Sequence, residues 1–181
     1  MHCSTRRHMQ GITLIELLVV LAILVIWAGI GGPAMGRLLQ TQRLQAASQT
    51  LYQALHYARS EAVRRGMPVL VESRQPRDWN AGWRIYVDRN GDGDRSSDEP
   101  ILRVEPKPPG DVDVIANRPV ARQVRYAPNG YSMRASGAFQ IGSFYLCPPG
   151  RKGDARRLVL SRGGRLRIER IGADEGKCSD E

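Results

Sequence analysis

From Leu17 to Gly36 the chain carries twenty consecutive residues without a charge. As a helix this run is about 30 Å long at 1.5 Å per residue, the depth of a bilayer's hydrocarbon core. It predicts a membrane-spanning helix. A secretory signal peptide has a shorter apolar core of about 7–15 residues, and here Glu16 lies inside the apolar stretch. A plain anchor explains the length, and Arg6-Arg7 on the leader would stay cytoplasmic by the positive-inside rule. Neither reading explains Glu16. A carboxylate at membrane depth costs roughly 2.5–3.5 kcal/mol and marks a functional position in need of a partner. Its place in the first helical turn offsets a little of that, since the helix dipole favours an anion there.

The stretch Gly11-Ile12-Thr13-Leu14-Ile15-Glu16 resembles the processing site of type IV pilins and pseudopilins. In that family the leader ends in glycine and the mature chain carries glutamate at its fifth position. The resemblance implies cleavage after Gly11 by a prepilin peptidase, methylation of the new N-terminus at Ile12, and Glu16 as the assembly carboxylate. A neighbouring subunit's terminal amine would neutralise Glu16 on burial, so the charge would set register in a filament of pilins. Family members more often begin with phenylalanine or methionine, so Ile12 is a mild departure. The implied residence is a single-pass helix in the bacterial inner membrane with a periplasmic globular domain, and the cell surface once the pilus has assembled.

The expected organisation is a cleaved leader over 1–11, the membrane and assembly half of a long helix over 12–36, its amphipathic half over 37–66, and a β-rich domain over 67–181. The helical pattern continues through Leu38, Leu39, Leu44, Ala47, Leu51, Leu55, Ala58 and Ala62 at spacings of three and four. Gly31-Gly32-Pro33 invites a kink or local melting. The apolar stripe is alanine-rich, so a sheet can approach closely, and Arg64-Arg65-Gly66 ends the helix in favourable chemistry. Beyond Gly66, short runs broken by glycine and proline predict strands at 69–73, 83–87, 101–105, 123–126, 138–146, 157–160 and 166–171. The fold class is therefore α+β, a long N-terminal helix on antiparallel sheet, which is the pilin fold that the resemblance implies.

Charge and cysteines narrow the function. The formal net charge is +9, and loss of Arg6 and Arg7 with the leader leaves +7, a balance suited to a polyanionic partner. Cys3 lies in the leader. Cys147 and Cys178 read as one disulfide tying down the C-terminal tail, or as two free thiols.

Two constellations stand out. Asp88, Asn90, Asp92, Gly93, Asp94, Ser96 and Glu99 match the spacing of an EF-hand calcium loop. The context fits poorly, because a strand leads in and Pro100 follows; a solvated hairpin held by side-chain to backbone bonds is the other reading. No other cofactor is implied. The second constellation is basic: Arg151, Lys152, Arg156, Arg157, Arg162, Arg165, Arg167 and Arg170 stand against Asp154 and Glu169, a local excess of six positive charges. Arginine's planar fork suits phosphate. Period-two alternation would put Arg165 and Arg167 on the same side of a strand after Gly163-Gly164.

Gly164-Arg165-Leu166-Arg167 resembles the Gly-Arg-x-Arg motif near the C-terminus of the FimT branch of the FimT and GspH group of minor pilins. Members of that branch bind DNA and assist its uptake in natural transformation. The resemblance implies Gly164, Arg165 and Arg167 as DNA-binding residues, with Arg151, Lys152, Arg156, Arg157, Arg162 and Arg170 in support. Binding would be electrostatic and largely independent of sequence. Tyr131, Phe144 and Tyr145 are aromatic candidates for stacking on single-stranded bases or for core packing. The alternative is a GspH-like pseudopilin of a type II secretion system, which needs no DNA affinity. An enzyme has little support: His56 is the one histidine beyond the leader, and no Ser-His-Asp set, zinc spacing or phosphate-cradling glycine loop is present.

Overall fold

The computed structural model describes residues 13–108 and 110–178, with the side chains of residues 28–34 and 37 set aside. The leader and Ile12 lie outside the described residues. Helix α1 spans Leu14–Arg65, so the expected melting at Gly31-Gly32-Pro33 is not seen: the helix runs through it. Thr13 caps this helix. Its Oγ1 accepts the Glu16 N–H at 3.3 Å, and its carbonyl accepts the Leu17 N–H at 3.2 Å. Thr13-x-x-Glu16 is therefore a capping-box sequence, a local signal that explains why the helix starts where it does. Among the described residues no helix is long and apolar enough to cross a membrane. Much of the expected span, residues 28–34, has no described side chains.

The chain forms two units, one up to Leu39 and one from Gln40 onward. In the second, the α1 stripe is buried from Leu44 through Ala47, Leu51, Leu55 and Ala58 to Ala62, as the spacing predicts. Leu38 and Leu39, in the first unit, are exposed. Among the described residues, eight antiparallel strands make two four-stranded sheets. The first contains β1 (Val69–Gln75), β2 (Asp78–Val87), β3 (Ile101–Glu105) and β5 (Gln123–Tyr126), in the order β3-β2-β1-β5. The second contains β4 (Asp113–Ala116), β6 (Gly142–Cys147), β7 (Asp154–Leu160) and β8 (Leu166–Gly172), in the order β4-β6-β7-β8.

The seven expected strands are present with shifted ends, and β4 is the one that sequence periodicity misses. It is four residues long after a proline-rich loop and pairs with β6 alone, at the sheet's edge. Both sheets and the helix share one core. Trp83, Ile85 and Val87 lie on a common strand face and meet Leu51, Leu55, Trp79, Phe144 and Leu158 there. Small alanines on α1 permit this close helix-to-sheet packing, and large aromatics fill the space beyond it. Cys147 and Cys178 form a disulfide with Cα atoms 5.6 Å apart, which fixes the C-terminal turn at Gly176–Cys178 to β6.

Candidate nucleic-acid interface

β8 is an edge strand of the second sheet, joined to β7 by the turn Ser161–Arg165. The turn is closed by four hydrogen bonds. The Ser161 N–H donates to the Arg165 carbonyl at 3.0 Å, and the Gly164 N–H donates to the Ser161 carbonyl at 2.9 Å. The Ser161 hydroxyl donates to the same Arg165 carbonyl at 3.1 Å and accepts from the Arg165 N–H at 3.1 Å. Gly164 has φ +71°, and a β-carbon built on it would lie 2.1 Å from the Gly130 carbonyl oxygen and 3.2 Å from the Tyr126 ring. Glycine is thus required here for both conformation and space.

A residue outside the basic segment locks this turn in place. Arg59 of α1 donates through Nε to the Gly130 carbonyl at 2.9 Å and through Nη2 to the Gly163 carbonyl at 2.9 Å. The Ser132 N–H donates to the Arg162 carbonyl at 3.2 Å. The row Leu51, Leu55, Arg59 at intervals of four sets Arg59 at the margin of the buried stripe.

Arg165 and Arg167 are both exposed and line one concavity of about 490 Å³ with Val159, Ser161 and Leu166. Their Cα atoms stand about 6.7 Å apart along an extended strand. Arg167 pairs with Glu169, and Arg157 stands 3.8 Å from the same carboxylate. Arg157 also reaches the Ser143 hydroxyl at 3.2 Å and lies over the Tyr145 ring at 5.7 Å. The register pairs Arg157 with Glu169 and Val159 with Arg167. The solvent face of the β7–β8 hairpin therefore presents Arg157 and Arg167 around one acid, with Arg165 two residues before Arg167 at the turn.

The remaining basic residues go elsewhere. Arg156 and Arg170 are register partners on the opposite face, where both line a recess with Gln45, Ser48 and Gln49 of α1. Arg156 is buried; that burial, with the like charge of Arg170, lowers its pKa. Arg151 and Lys152 line a separate recess with Asp113, Asp174 and Cys178, at the far end of β7, about 20 Å from the Ser161 turn. A single charge-rich stretch of sequence is thus divided among three places.

Arg162 points to a fourth neighbour, the Phe139 ring, 4.9 Å from its guanidinium. Phe139 is tilted against Tyr131 with ring centroids 6.1 Å apart, and both are more than two-fifths exposed. Of the aromatic candidates, Tyr131 is on the surface, whereas Phe144 is fully buried and Tyr145 lies beneath Arg157. Phe139 falls within the strand expected at 138–146, but the strand begins at Gly142 and Phe139 makes only an isolated bridge to Met133.

In the structure the carboxylates of the acidic loop are engaged by donors of the protein itself. Asp88 is fully buried and accepts from Arg125 Nε at 3.1 Å and from the Gly91 N–H at 2.8 Å. Glu99 accepts from the Arg89 and Ser96 N–H groups at 2.8 and 2.9 Å. Asp92 accepts from the Asp94 N–H at 2.7 Å and from the Asn90 amide at 2.7 Å, and Asp94 pairs with Arg122. Among the described residues no group of acidic, histidine or cysteine side chains gathers around a common centre suited to a metal. The carboxylates fold the loop on itself and tie it to β5, as side-chain to backbone bonding in a hairpin does.

Residues 47–164 match the family model described as type II transport protein GspH, and residues 6–32 match the prokaryotic N-terminal methylation motif. The chain belongs to the GspH family. It is a minor pilin or pseudopilin, of a class that assembles with other pilins and whose methylation motif implies processing by prepilin peptidase. The fold is like that of the type IV minor pilin FimU of Pseudomonas aeruginosa in two crystal forms. In one, the TM-score is 0.55 at 24% identity over 73% of this chain and 95% of FimU; in the other, 0.58 at 23% over 75% and 92%. The minor pseudopilin EpsH of the Vibrio cholerae type 2 secretion system aligns at a TM-score of 0.47 and 15% identity, over 70% of this chain and 96% of EpsH. No curated protein matches the sequence significantly. Family and fold are those of structural rather than catalytic proteins.

Proposed function

We propose that this subunit is a DNA-binding minor pilin that assists DNA uptake. The observation that carries the reading is the pinned Ser161–Arg165 turn, which holds Arg165 and Arg167 exposed, side by side and in one concavity. Guanidinium groups in that arrangement suit adjacent phosphates of one strand, and each contact releases counterions. Arg157 and Arg162 flank the pair. Arg151 and Lys152 at the far end of β7, and Arg156 and Arg170 on the opposite face, belong to other surfaces. Gly164 acts by shaping the turn.

Delivery rests with the N-terminal segment. Cleavage after Gly11 and methylation at Ile12 release a subunit held in the inner membrane by one helix, with its globular unit in the periplasm. Glu16 then docks it into the filament, which presents the arginines at the cell surface. A single subunit with a few phosphate contacts binds weakly, and several copies in a filament compensate. The test is DNA affinity as a function of salt for the wild type and for Arg165→Ala with Arg167→Ala. The double variant is expected to lose most affinity at unchanged melting temperature; equal affinity would reject the site.

The family match favours a second reading, a pseudopilin of a type II secretion system. A deletion strain separates the two: loss of transformation with secretion of folded enzymes intact supports the DNA reading, and the reverse supports secretion.

A further inference from the structure

A second arginine cluster lies outside the basic C-terminal segment. Arg118, Arg122, Arg125 and Arg134 line one cavity of about 230 Å³ with Pro119, Gln123, Ala135 and Gln140, and no carboxylate belongs to that lining. These arginines come from four places in the sequence: the 3-10 turn at Arg118–Val120, the link after it, β5, and the loop following Tyr131. Three of them, Arg118, Arg122 and Arg125, fall within eight residues of one another, inside a stretch, 114–153, that contains no acidic residue.

Two of the four are balanced. Arg125 is paired with the buried Asp88, and Arg122 with Asp94 and, at 3.6 Å, Glu72. Arg118 and Arg134 are exposed and have no carboxylate partner among the described residues. The cavity therefore holds positive charge that its surroundings do not neutralise, next to guanidinium groups already fixed in direction.

The wall is built rather than incidental. Gln140 is buried, and its amide donates to the Pro119 carbonyl at 2.8 Å and the Gln123 carbonyl at 2.7 Å while its Oε1 accepts the Arg125 N–H at 3.0 Å. One side chain thus joins the segment bearing Arg118, the strand bearing Arg125 and the loop bearing Arg134. The Arg134 N–H donates to the Ala138 carbonyl at 2.8 Å, and its own carbonyl accepts the Gly137 N–H at 3.0 Å, which closes the loop's tip. Such bracing fixes the backbone that carries the four arginines before any ligand arrives, so only the Arg118 and Arg134 side chains are left to order on binding.

We propose that this cavity is a second phosphate-binding site, with Arg118 and Arg134 as its anion contacts and Arg122 and Arg125 as its fixed positive wall. The same loop connects it to the first site. Ser132, two residues before Arg134, receives the Arg162 turn, and Phe139, which pairs with Met133, carries the Arg162 guanidinium over its ring. The step from Ser132 to Arg134 is about 7 Å of extended chain. The ligand chemistry is a phosphate anion, either the backbone of DNA already engaged by Arg165 and Arg167 or a free polyphosphate. Its assignment to DNA rests on the DNA-binding reading above, whereas the site itself does not.

The experiment uses the full chain in detergent and two probes, inorganic tripolyphosphate by calorimetry and a DNA duplex titrated over a series of salt concentrations. Tripolyphosphate is measured in the Arg165→Ala/Arg167→Ala background, where the first site is removed: that variant is expected to bind it, and the same variant carrying Arg118→Ala and Arg134→Ala as well to bind it at least tenfold more weakly. On DNA, removing two phosphate contacts should reduce the slope of log affinity against log salt by about 1.8. Thermal melting checks that the variant is folded, as expected for two exposed side chains. Failure of the Arg165→Ala/Arg167→Ala variant to bind tripolyphosphate, or equal binding when Arg118→Ala and Arg134→Ala are added to it, overturns the site. An unchanged DNA slope with weakened tripolyphosphate binding overturns its role on DNA. Absence of any DNA binding by the wild type removes the DNA reading, and the tripolyphosphate arm still decides the cavity.

Discussion

Gly164 packs against Gly130 so closely that a β-carbon on it would stand 2.1 Å from the Gly130 carbonyl oxygen. Neither backbone can yield without breaking the hydrogen bonds that close the two turns. Gly164→Ala is therefore expected to destabilise the domain by about 1–3 kcal/mol, from positive φ and overlap together. Gly163 has open space around its α-carbon, so Gly163→Ala is the control and should fall within about 0.5 kcal/mol of wild type. Urea unfolding of the two variants makes the comparison. Equal stability would mean that the turns separate readily, and the rigid display of Arg165 and Arg167 would go with them.

Arg59 reaches the carbonyls of both turns with separate nitrogens. Hydrogen bonds to a charged group are worth about 1.5–3 kcal/mol, and removal of this one side chain leaves two acceptors without their donor. Arg59→Ala should lose on the order of 2 kcal/mol or more of stability and weaken DNA binding several-fold, although Arg59 is not among the proposed contacts. Arg59→Lys should recover part of the stability, since a single ammonium cannot span the two carbonyls as the guanidinium fork does. A DNA affinity unchanged in Arg59→Ala would separate the turn's position from binding.

The Cys147–Cys178 disulfide closes a loop with a sequence separation of 31, for which chain-entropy estimates give about 3–4 kcal/mol. The tail it holds packs closely: a β-carbon on Gly176 would meet the Tyr145 ring at 2.4 Å. Cys147→Ser with Cys178→Ser is expected to lower the urea midpoint by an amount equivalent to about 2–4 kcal/mol. Mass spectrometry without reductant checks that the wild type carries the bond.

Periodic features were legible in the sequence, and convergent ones were not. The stripe from Leu44 to Ala62 and the Trp83, Ile85, Val87 face follow from spacing alone, because burial on one face of a helix or strand repeats at its own period. The Gly-Arg-x-Arg turn was readable as a motif. Its support was not, since Arg59 lies 104 residues from Gly163 in sequence. The basic segment misled in one respect: adjacency in sequence put Arg156 beside Arg157, and strand alternation sent them to opposite faces. In the acidic loop, the pairing of Asp88 with Arg125 and of Asp94 with Arg122 joins residues distant in sequence, and loop spacing alone does not announce it. The acid-free stretch 114–153 holds Arg118, Arg122, Arg125 and Arg134, but their convergence on one cavity, through Gln140, follows from no periodic pattern.

Glu61, near the end of α1, accepts hydrogen bonds from Arg64 Nε and Nη2 at 2.9 and 2.7 Å and from Arg65 Nε at 2.6 Å. The Arg64 hydrogen bond is the largest influence, and with Arg65 it outweighs the opposing effect of burial, holding the carboxyl at about 2 against an ordinary 4.5. A carboxylate whose folded pKa lies below its unfolded value binds its proton more readily in the unfolded state. Its stabilisation is therefore complete above pH 4.5 and is lost progressively as pH falls toward 2. Glu61→Gln removes the charge without changing the shape. The stability difference between wild type and Glu61→Gln should be constant from neutral pH down to about 5 and then shrink through that window, while other carboxylates titrate equally in both. Urea unfolding at a series of pH values measures it. A difference that stays level down to pH 2 would show that the Arg64 and Arg65 contacts do not hold Glu61 ionised.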